Sequence, residues 1–377
     1  MSVRQFDLTE QHARLKDDLE QAWRRVFSSN RFVLGCEVEK FEQELAAYLG
    51  GGRVVGVNSG SDALLLSLCA AGVGAGDKVV LPAYTFCASL EAVLRVGAIP
   101  VFVDCAADGF NCDPGAVVDA LACSPKAVIV VHLFGLPMQL AEIAAACRER
   151  GIVLIEDAAQ ALGTATSAGM VGAHADFSCF SFYPTKNLGA LGDGGAIRVS
   201  DERAEVRLRR LRNHGLDRSG TITACGFNSR MDELQAAFLR AKLPHLDRWV
   251  ASRQQIAAVY RGALAGLGVL PRQNDDPMHG FNQFAIRFDR RDALRDWLHG
   301  RAIETRVYYA TSADAHPALT TITQCAQARR NARQALALPM YPELDLRVAQ
   351  SVGALVAEFL RAPRGVKAAG GHDAVAV

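Results

Sequence analysis

The sequence of 377 residues has no hydrophobic run long enough to cross a membrane and no large excess of charge of either sign. Its apolar stretches, such as residues 127–131, have the length of a β-strand, whereas a membrane-spanning helix needs about 20 residues. The formal net charge is +1, which produces no field to gather nucleic acid or an anionic membrane surface. No apolar signal core follows Met1. We therefore predict a cytoplasmic protein that binds neither nucleic acid nor membrane.

The cysteines also lack the spacing of a metal site. There are ten, but no two form a Cys-x-x-Cys pair and no histidine stands at zinc-finger spacing from them. Most lie in apolar surroundings, as Cys69 and Cys179 do. We interpret them as reduced thiols that act as small hydrophobic side chains, and we predict no metal site.

What the sequence does contain is a large apolar fraction arranged as alternating strands and helices. Half of the residues are hydrophobic and 21% are charged, which indicates a well-buried core. Helical stretches separate several short, continuously apolar strands, a pattern typical of an α/β fold whose mainly parallel sheet is covered on both faces. The predicted strands lie near residues 53–57, 78–81, 99–103, 127–132, 152–156, 177–182 and 195–199.

The pattern changes after about residue 200, where helices dominate and a weaker strand follows at 284–288. We therefore predict two domains, since the chain exceeds the length of one ordinary domain. A large domain spans residues 1–245 and a smaller α+β domain spans 246–363. Residues 364–377 form a frayed tail.

Local patterns add two expectations. Residues 11–50 favour amphipathic helix. Asn228 and Ser229 are cap-type residues before a helix that starts near Met231.

Two side chains at predicted strand ends suggest a pyridoxal phosphate (PLP) site. Lys186 follows the strand at 177–182, and Asp157 follows the apolar run 153–155. A lysine amine can form a Schiff base with the cofactor aldehyde, and a carboxylate can hold the proton on the pyridine nitrogen. Partial burial among aromatic side chains would lower the lysine pKa from ~10.4 toward about 7–8. The alternative interpretations are that Lys186 is an ordinary surface lysine and that Asp157 caps a helix.

Two further segments contain residue types that bind the phosphate group and the aromatic ring of such a cofactor. The turn at residues 58–62 places Gly60 and Ser61 between a strand and a helix start, where N–H groups and the helix dipole favour an anion. An ordinary capped turn is the alternative, but Ser181, near the lysine, is a second candidate for the phosphate. Phe86 follows a strand that ends at Pro82, and it can stack on a cofactor ring or belong to the core.

Several short motifs occur in order along the chain. They are Asn58-Ser59-Gly60-Ser61, Tyr84-Thr85-Phe86, Val131-His132-Leu133-Phe134-Gly135, Glu156-Asp157-Ala158-Ala159-Gln160, Ser181-Phe182-Tyr183-Pro184-Thr185-Lys186-Asn187, Gly192-Asp193-Gly194-Gly195, Arg212-Asn213-His214-Gly215 and Asn228-Ser229-Arg230-Met231-Asp232-Glu233-Leu234-Gln235. Together, and over roughly residues 10–360, they resemble the DegT/DnrJ/EryC1/StrS family of PLP-dependent sugar aminotransferases.

The resemblance implies a fold type I aminotransferase, with a mainly parallel seven-stranded-type sheet, that forms a homodimer with shared active sites. It assigns Lys186 to the covalent link with PLP and Asp157 to the pyridine nitrogen. Gln160 would lie beside the ring and Phe86 would stack on it. The phosphate would be held by Gly60, Ser61, Ser181 and, from the neighbouring subunit, Asn228.

The resemblance also implies a substrate class. The lysine run, with Asp193 after Gly192, is similar to members that aminate 3-keto sugars on a nucleotide. We therefore predict transfer of an amino group from L-glutamate to a 3-keto-6-deoxyhexose linked to dTDP. Tyr183, Tyr308 and Tyr309 would contact the hexose, and Arg230 the diphosphate. A 4-keto sugar nucleotide or a cyclitol ketone is the nearest alternative. A non-catalytic PLP-binding regulator is the alternative from another class.

Overall fold

The computed structural model describes residues 2–166, 169–271, 276, 278–319 and 324–362, so the predicted tail at 364–377 lies outside the described residues. The strands are β1 Arg53–Val57, β2 Lys78–Pro82, β3 Ile99–Val103, β4 Ala127–Val131, β5 Val153–Asp157, β6 Ala165–Thr166, β7 Gly169–Met170, β8 Phe177–Ser181, β9 Gly195–Val199, β10 Phe284–Arg287 and β11 Ala335–Leu338. The helices are α1 Thr9–Arg14, α2 Lys16–Ser29, α3 Cys36–Tyr48, α4 Gly60–Ala70, α5 Cys87–Arg95, α6 Pro114–Ala120, α7 Ala141–Arg150, α8 Glu202–Leu211, α9 Glu233–Lys242, α10 Leu246–Leu264, α11 Arg291–His299, α12 Ala326–Gln334 and α13 Leu346–Arg361. Among the described helices, none combines the length and hydrophobicity needed to cross a membrane.

A seven-stranded sheet in the order β1-β9-β8-β5-β4-β2-β3 forms the centre of the molecule. Strand β9 runs antiparallel to both of its neighbours, and the other pairs are parallel. Strand β4 is buried along its whole length, as expected for a parallel strand covered by helices on both faces. The predicted α/β class and mainly parallel sheet are confirmed.

The register of this sheet brings several strand ends to one edge. Gly195, the first residue of β9, pairs with Val57 at the end of β1 and with Ser181 at the end of β8. Asp157, the last residue of β5, pairs with Val131 at the end of β4. Ligands in open α/β sheets bind beyond the carboxyl ends of the strands, so this edge is where a site is expected.

The C-terminal part has its own apolar core around the two-stranded antiparallel sheet of β10 and β11, against which α10, α11 and α13 pack. Helix α10 joins the two parts of the chain, because Trp249 packs with the N-terminal helices whereas Tyr260 packs with the C-terminal core. The segment before α1 also crosses to this region, where Val3 bridges to Ile303. A domain boundary after residue 245 remains our proposal.

The helical prediction for residues 11–50 is confirmed by α1, α2 and α3, with a break where Asn30 ends α2 in a left-handed conformation with φ 52° and α3 starts only at Cys36. One local prediction is wrong. Asn228 and Ser229 do not cap the following helix, which begins at Glu233. The hydroxyl of Ser229 accepts a hydrogen bond from the backbone N–H of Asn58 instead (3.3 Å).

Candidate active site

A cavity of about 820 Å³ opens at the carboxyl edge of the sheet. It brings together ten of the twelve side chains or glycines predicted for the site. The ten are Gly60, Ser61, Phe86, Asp157, Gln160, Ser181, Tyr183, Lys186, Tyr308 and Tyr309. Asn228 and Arg230 do not line it.

Lys186 lies on the loop that leaves β8, where its backbone N–H donates to the carbonyl of Tyr183 (2.9 Å). The side chain lines the cavity. Burial disfavours the charged amine and lowers the pKa of Lys186 to about 8, although the nearby carboxylate of Asp157 opposes the change. The amine is therefore closer to neutrality near physiological pH than an ordinary lysine amine, as a catalytic lysine requires.

Asp157 is buried at the end of β5. Its Oδ2 accepts from the hydroxyl of Ser89 (2.9 Å) and its Oδ1 accepts from the backbone N–H of Ala159 (3.2 Å). Burial raises the pKa of Asp157, and these two hydrogen bonds oppose the rise. The carboxylate is thus oriented in the cavity wall, and a cationic group facing it would stabilise its ionised form.

Glu156, next to Asp157, has a structural role. Alternate residues of a strand face opposite sides of the sheet, and Glu156 bonds to His132 Nε2 (2.8 Å), Ser178 Oγ (3.1 Å) and the N–H of Gly172 (2.7 Å). Because His132 Nδ1 accepts from a backbone N–H, its Nε2 carries the proton and donates to Glu156. Burial alone would raise the pKa of Glu156, but the hydrogen bonds outweigh it and lower the pKa.

Gly60 and Ser181 form the floor of the predicted phosphate site. A Cβ added to Gly60 would lie 2.7 Å from the Cβ of Ser181, so the start of α4 and the end of β8 are in direct contact. Ser59 caps α4 by accepting from the N–H of Asp62 (3.1 Å). The segment is therefore both a capped turn and a helix N-terminus that opens into the cavity beside Ser61.

An aromatic and amide wall faces this floor. The side-chain oxygen of Gln160 accepts from the N–H of Phe134 (2.6 Å), and its nitrogen donates to the hydroxyl of Tyr309 (3.1 Å). The ring of Phe86 is half exposed (50%) and lies 5.6 Å from the ring of Tyr309. A half-exposed phenylalanine on a cavity wall offers a face to a planar ligand.

Several residues that line or support the cavity were not among the predicted site residues. Ser89 orients Asp157, and Asn282 donates to the carbonyl of Thr185 and the side chain of Asn187, on either side of Lys186 (both 3.2 Å). The other unpredicted lining residues include Gln5, Gln283, Glu304 and Arg306. Arg306 had a sequence signal, since it stands two residues before Tyr308 and so on the same side of an extended chain.

Arg230 and Asn228 lie together outside this cavity. The guanidinium of Arg230 donates to the side-chain oxygens of Asn213 (3.0 Å) and Asn228 (2.5 Å). Both acceptors are neutral, and no carboxylate among the described residues lies within ion-pair distance of Arg230. The charge of Arg230 is therefore oriented but not neutralised by any carboxylate that the structure describes.

The donor set fits PLP. An amine, a buried carboxylate, a glycine-serine helix start and an exposed aromatic face line one cavity, and a volume of about 820 Å³ lies in the range of sites that enclose a cofactor and a small substrate. Lys186 would hold the aldehyde carbon, Asp157 the pyridine nitrogen, and Gly60, Ser61 and Ser181 the phosphate.

Comparison with known proteins agrees with this geometry. The sequence profile of the DegT/DnrJ/EryC1/StrS aminotransferase family matches residues 13–357. The chain belongs to this family. Membership confirms the resemblance seen in the motifs, the aminotransferase activity and PLP as the cofactor.

Three similar proteins that support this family assignment carry different names. A "Pleiotropic regulatory protein" of Geobacillus stearothermophilus is 41% identical, over 96% of this chain and 99% of its own length. A "UDP-N-acetyl-3-dehydro-alpha-D-glucosamine 3-aminotranferase" of Acidithiobacillus ferrooxidans is 39% identical, over 91% and 94%. A "dTDP-3-amino-3,4,6-trideoxy-alpha-D-glucose transaminase" of Streptomyces venezuelae is 40% identical, over 90% and 91%.

A solved structure shows the same fold. It is that of S. venezuelae DesV in complex with a ketimine intermediate, with a TM-score of 0.92 and 38% sequence identity. The match covers 96% of this chain and 99% of DesV.

Proposed function

We propose that this aminotransferase moves an amino group from L-glutamate to a 3-keto-6-deoxyhexose carried on a nucleoside diphosphate, with dTDP as the nucleotide. One observation carries the proposal. Lys186, Asp157 and the Gly60–Ser181 floor line a single cavity that has room for more than the cofactor. The names of the Acidithiobacillus and Streptomyces relatives both concern nitrogen at the 3-position of a nucleotide sugar, which favours a 3-keto over a 4-keto acceptor.

The chain contributes a base and a charge partner to this chemistry. Bound PLP supplies the sink for the electrons released when a substrate carbon loses its proton. Lys186, with its pKa lowered to about 8, can take up and return that proton near neutral pH. Asp157, held by Ser89 and Ala159, would hold the proton on the pyridine nitrogen.

Phenols at the mouth of the cavity fit a hexose. Tyr183 is half exposed (52%), and Tyr308 lines the cavity beside it. A phenol donates and accepts hydrogen bonds, so this pair can bind several sugar hydroxyls and fix which carbon faces Lys186. Misplacing the keto carbon by one position would cost much of the rate through lost orientation.

A second copy of the chain would complete the site. The unneutralised Arg230, with Asn228 beside it, suits a phosphate or diphosphate but lies outside the cavity of its own chain. Helix α2 and the loop after it expose a set of large apolar side chains. They are Trp23, Phe27, Phe32, Val33 and Leu34. An exposed apolar patch of this kind is typical of an interface, and we propose a homodimer in which Asn228 and Arg230 serve the partner's site.

The regulatory name of the Geobacillus relative leaves a non-catalytic function as the alternative. A non-catalytic protein need not keep an amine close to neutrality and a buried carboxylate in the wall of one cavity. This chain has both, at Lys186 and Asp157, which favours catalysis.

A panel of keto sugar nucleotides tests the acceptor. Holoenzyme is given L-glutamate with 3-keto and 4-keto deoxyhexoses on dTDP and UDP, and with a cyclitol ketone, and kcat/KM is measured for each. The 3-keto compound on dTDP should be fastest. Faster turnover of a 4-keto sugar or a free cyclitol ketone would overturn the acceptor assignment while leaving the PLP chemistry intact.

A further inference from the structure

Arg306 is a cation in the cavity wall for which the chemistry above has no use. Among the described lining residues, the positively charged side chains are those of Lys186 and Arg306. The guanidinium of Arg306 is exposed, and within the described residues it forms neither an ion pair nor a side-chain hydrogen bond. An arginine stays charged at any physiological pH. Glu304 and Asp193 line the same cavity, but neither forms an ion pair with Arg306, so its guanidinium can bind an anionic group of the ligand.

Hydrogen bonds hold the main chain at Arg306 in place. Arg306 exchanges two backbone hydrogen bonds with Ala337 of β11 (3.1 and 2.7 Å). Further along, the hydroxyl of Tyr84 donates to the carbonyl of Tyr308 and accepts from the N–H of Tyr309 (2.9 Å). Segment 306–309 is therefore held at both ends, and binding groups on such a rigid backbone keep their geometry.

We propose that Arg306 binds a carboxylate group of the amino donor; this inference rests on the proposed function and names the donor contact of that same site. The amino acid brings carboxylates that must be held while its nitrogen reacts at Lys186. The guanidinium fork matches a carboxylate with two parallel hydrogen bonds. A hexose offers hydroxyls to the same wall and needs no cation there.

The position of Arg306 along the chain favours a carboxylate of the amino donor, rather than the diphosphate of the acceptor, as its ligand. An extended chain advances about 3.3–3.6 Å per residue, so Arg306 starts only about 10 Å along the backbone from Tyr309, which contacts the ring-side residues Gln160 and Phe86. A small amino acid spans that gap. The diphosphate must lie on the far side of the whole hexose, where Arg230 of a second copy would reach it.

The test separates the two half-reactions. PLP-loaded enzyme is mixed with L-glutamate, and the loss of visible absorbance gives the half-saturating donor concentration. Enzyme loaded with pyridoxamine phosphate is mixed with the keto sugar nucleotide, and the return of absorbance reports the acceptor. Arg306→Gln should raise the half-saturating glutamate concentration by about 10-fold or more, since hydrogen bonds to charged groups are strong. The acceptor half-reaction should change little.

Three further arms sharpen the result. Binding of glutarate, which has no amine and cannot react, is measured by calorimetry and should weaken in Arg306→Gln to a similar extent. Arg306→Lys should lie between wild type and Arg306→Gln, because it keeps the charge but not the fork. Arg333→Gln, which removes an exposed arginine outside the cavity, should match wild type.

Each outcome decides the inference. A loss for L-glutamate but not for L-glutamine assigns Arg306 to the side-chain carboxylate, and a loss for both assigns it to the α-carboxylate. Wild-type glutamate and glutarate affinity in Arg306→Gln would overturn the inference alone, as would an equal or larger defect with the sugar nucleotide. If wild-type enzyme itself fails to react with any amino acid, the proposed function and this inference fall together.

Discussion

Gly60 packs directly against Ser181, with no room for a side chain between the start of α4 and the end of β8. This contact joins two segments that are 121 positions apart in the sequence, as the residue numbers show. It arises because β9 lies between β1 and β8 and pairs Gly195 with the last residue of each strand. The phosphate floor is therefore a product of the strand order.

Gly60→Ala should weaken PLP binding. The added methyl group would meet the Cβ of Ser181 at 2.7 Å and its Cα at 3.2 Å, and relief of such overpacking costs about 1–3 kcal/mol. The dissociation constant of PLP, measured by equilibrium dialysis, should rise about 10-fold. Gly74→Ala is the matched control, because nothing lies within 4 Å of a Cβ at Gly74. Equal PLP affinity in the two variants would contradict the close contact.

The amine of Lys186 should titrate well below an ordinary lysine. Burial lowers its pKa to about 8, so the reactive neutral form appears as the pH rises through 8. Apoenzyme is acetylated with trace acetic anhydride between pH 6 and 11, and labelling of the Lys186 peptide is quantified by mass spectrometry. A midpoint near the unperturbed ~10.4 would show that the side chain is not desolvated.

The lowered pKa of Lys186 should also make the stability of the apoenzyme depend on pH, and replacing Lys186 should remove that dependence. Below about pH 8 the folded protein bears the full cost of the buried ammonium, and the cost disappears as the pH rises toward ~10.4, where the unfolded chain also loses the proton. Lys186→Met apoenzyme should therefore have a higher Tm than wild type at pH 7 and a similar Tm at pH 10.5. A gap in Tm that does not vary with pH would argue against the lowered pKa.

Asp157→Asn should keep the cofactor and lose turnover. The two side chains have almost the same shape, and the amide oxygen can still accept from Ser89 or Ala159, but the negative charge is gone. Single-turnover rates with L-glutamate should fall by at least ~100-fold. Ser89→Ala should give a smaller defect that grows as the pH falls, because loss of its hydrogen bond raises the pKa of Asp157. Normal single-turnover rates in Asp157→Asn would remove Asp157 from the chemistry.

Mixed dimers test the shared site. Lys186→Ala and Asn228→Asp chains should each be inactive alone, the second because a carboxylate would repel the phosphate. Half of the randomly mixed dimers would carry both changes and one intact site, so activity should return to about a quarter of wild type. Mixed dimers confirmed by mass spectrometry but without activity would place Asn228 elsewhere.

Much of the sheet could be predicted because buried parallel strands are continuous apolar runs with breaks between them. The residues at their ends, Asp157 and Ser181, could be assigned to a site for the same reason: carboxyl ends of parallel strands share an edge. The family motifs then supplied the roles that the strand pattern left open.

Other parts of the site depend on tertiary contacts that no local pattern contains. Ser89 resembles any serine in an amphipathic helix, and only the packing of α5 against β2 and β3 brings its hydroxyl to Asp157. Gln5 lies about 180 positions before Lys186 and reaches the cavity because its side chain donates to Gln283 (2.8 Å). Asn228 was predicted to cap a helix because its residue type favours caps, but a bridge to Asn213 holds that segment extended.

Transfer of labelled nitrogen tests the central claim most directly. Holoenzyme is incubated with L-glutamate labelled with nitrogen-15 and a dTDP-linked 3-keto-6-deoxyhexose, and the sugar nucleotide is analysed by mass spectrometry, with Lys186→Ala as the control. We expect the heavy nitrogen on the sugar in wild type and none in the variant. Enzyme that carries PLP on Lys186 but transfers nitrogen to no sugar nucleotide would contradict a sugar aminotransferase.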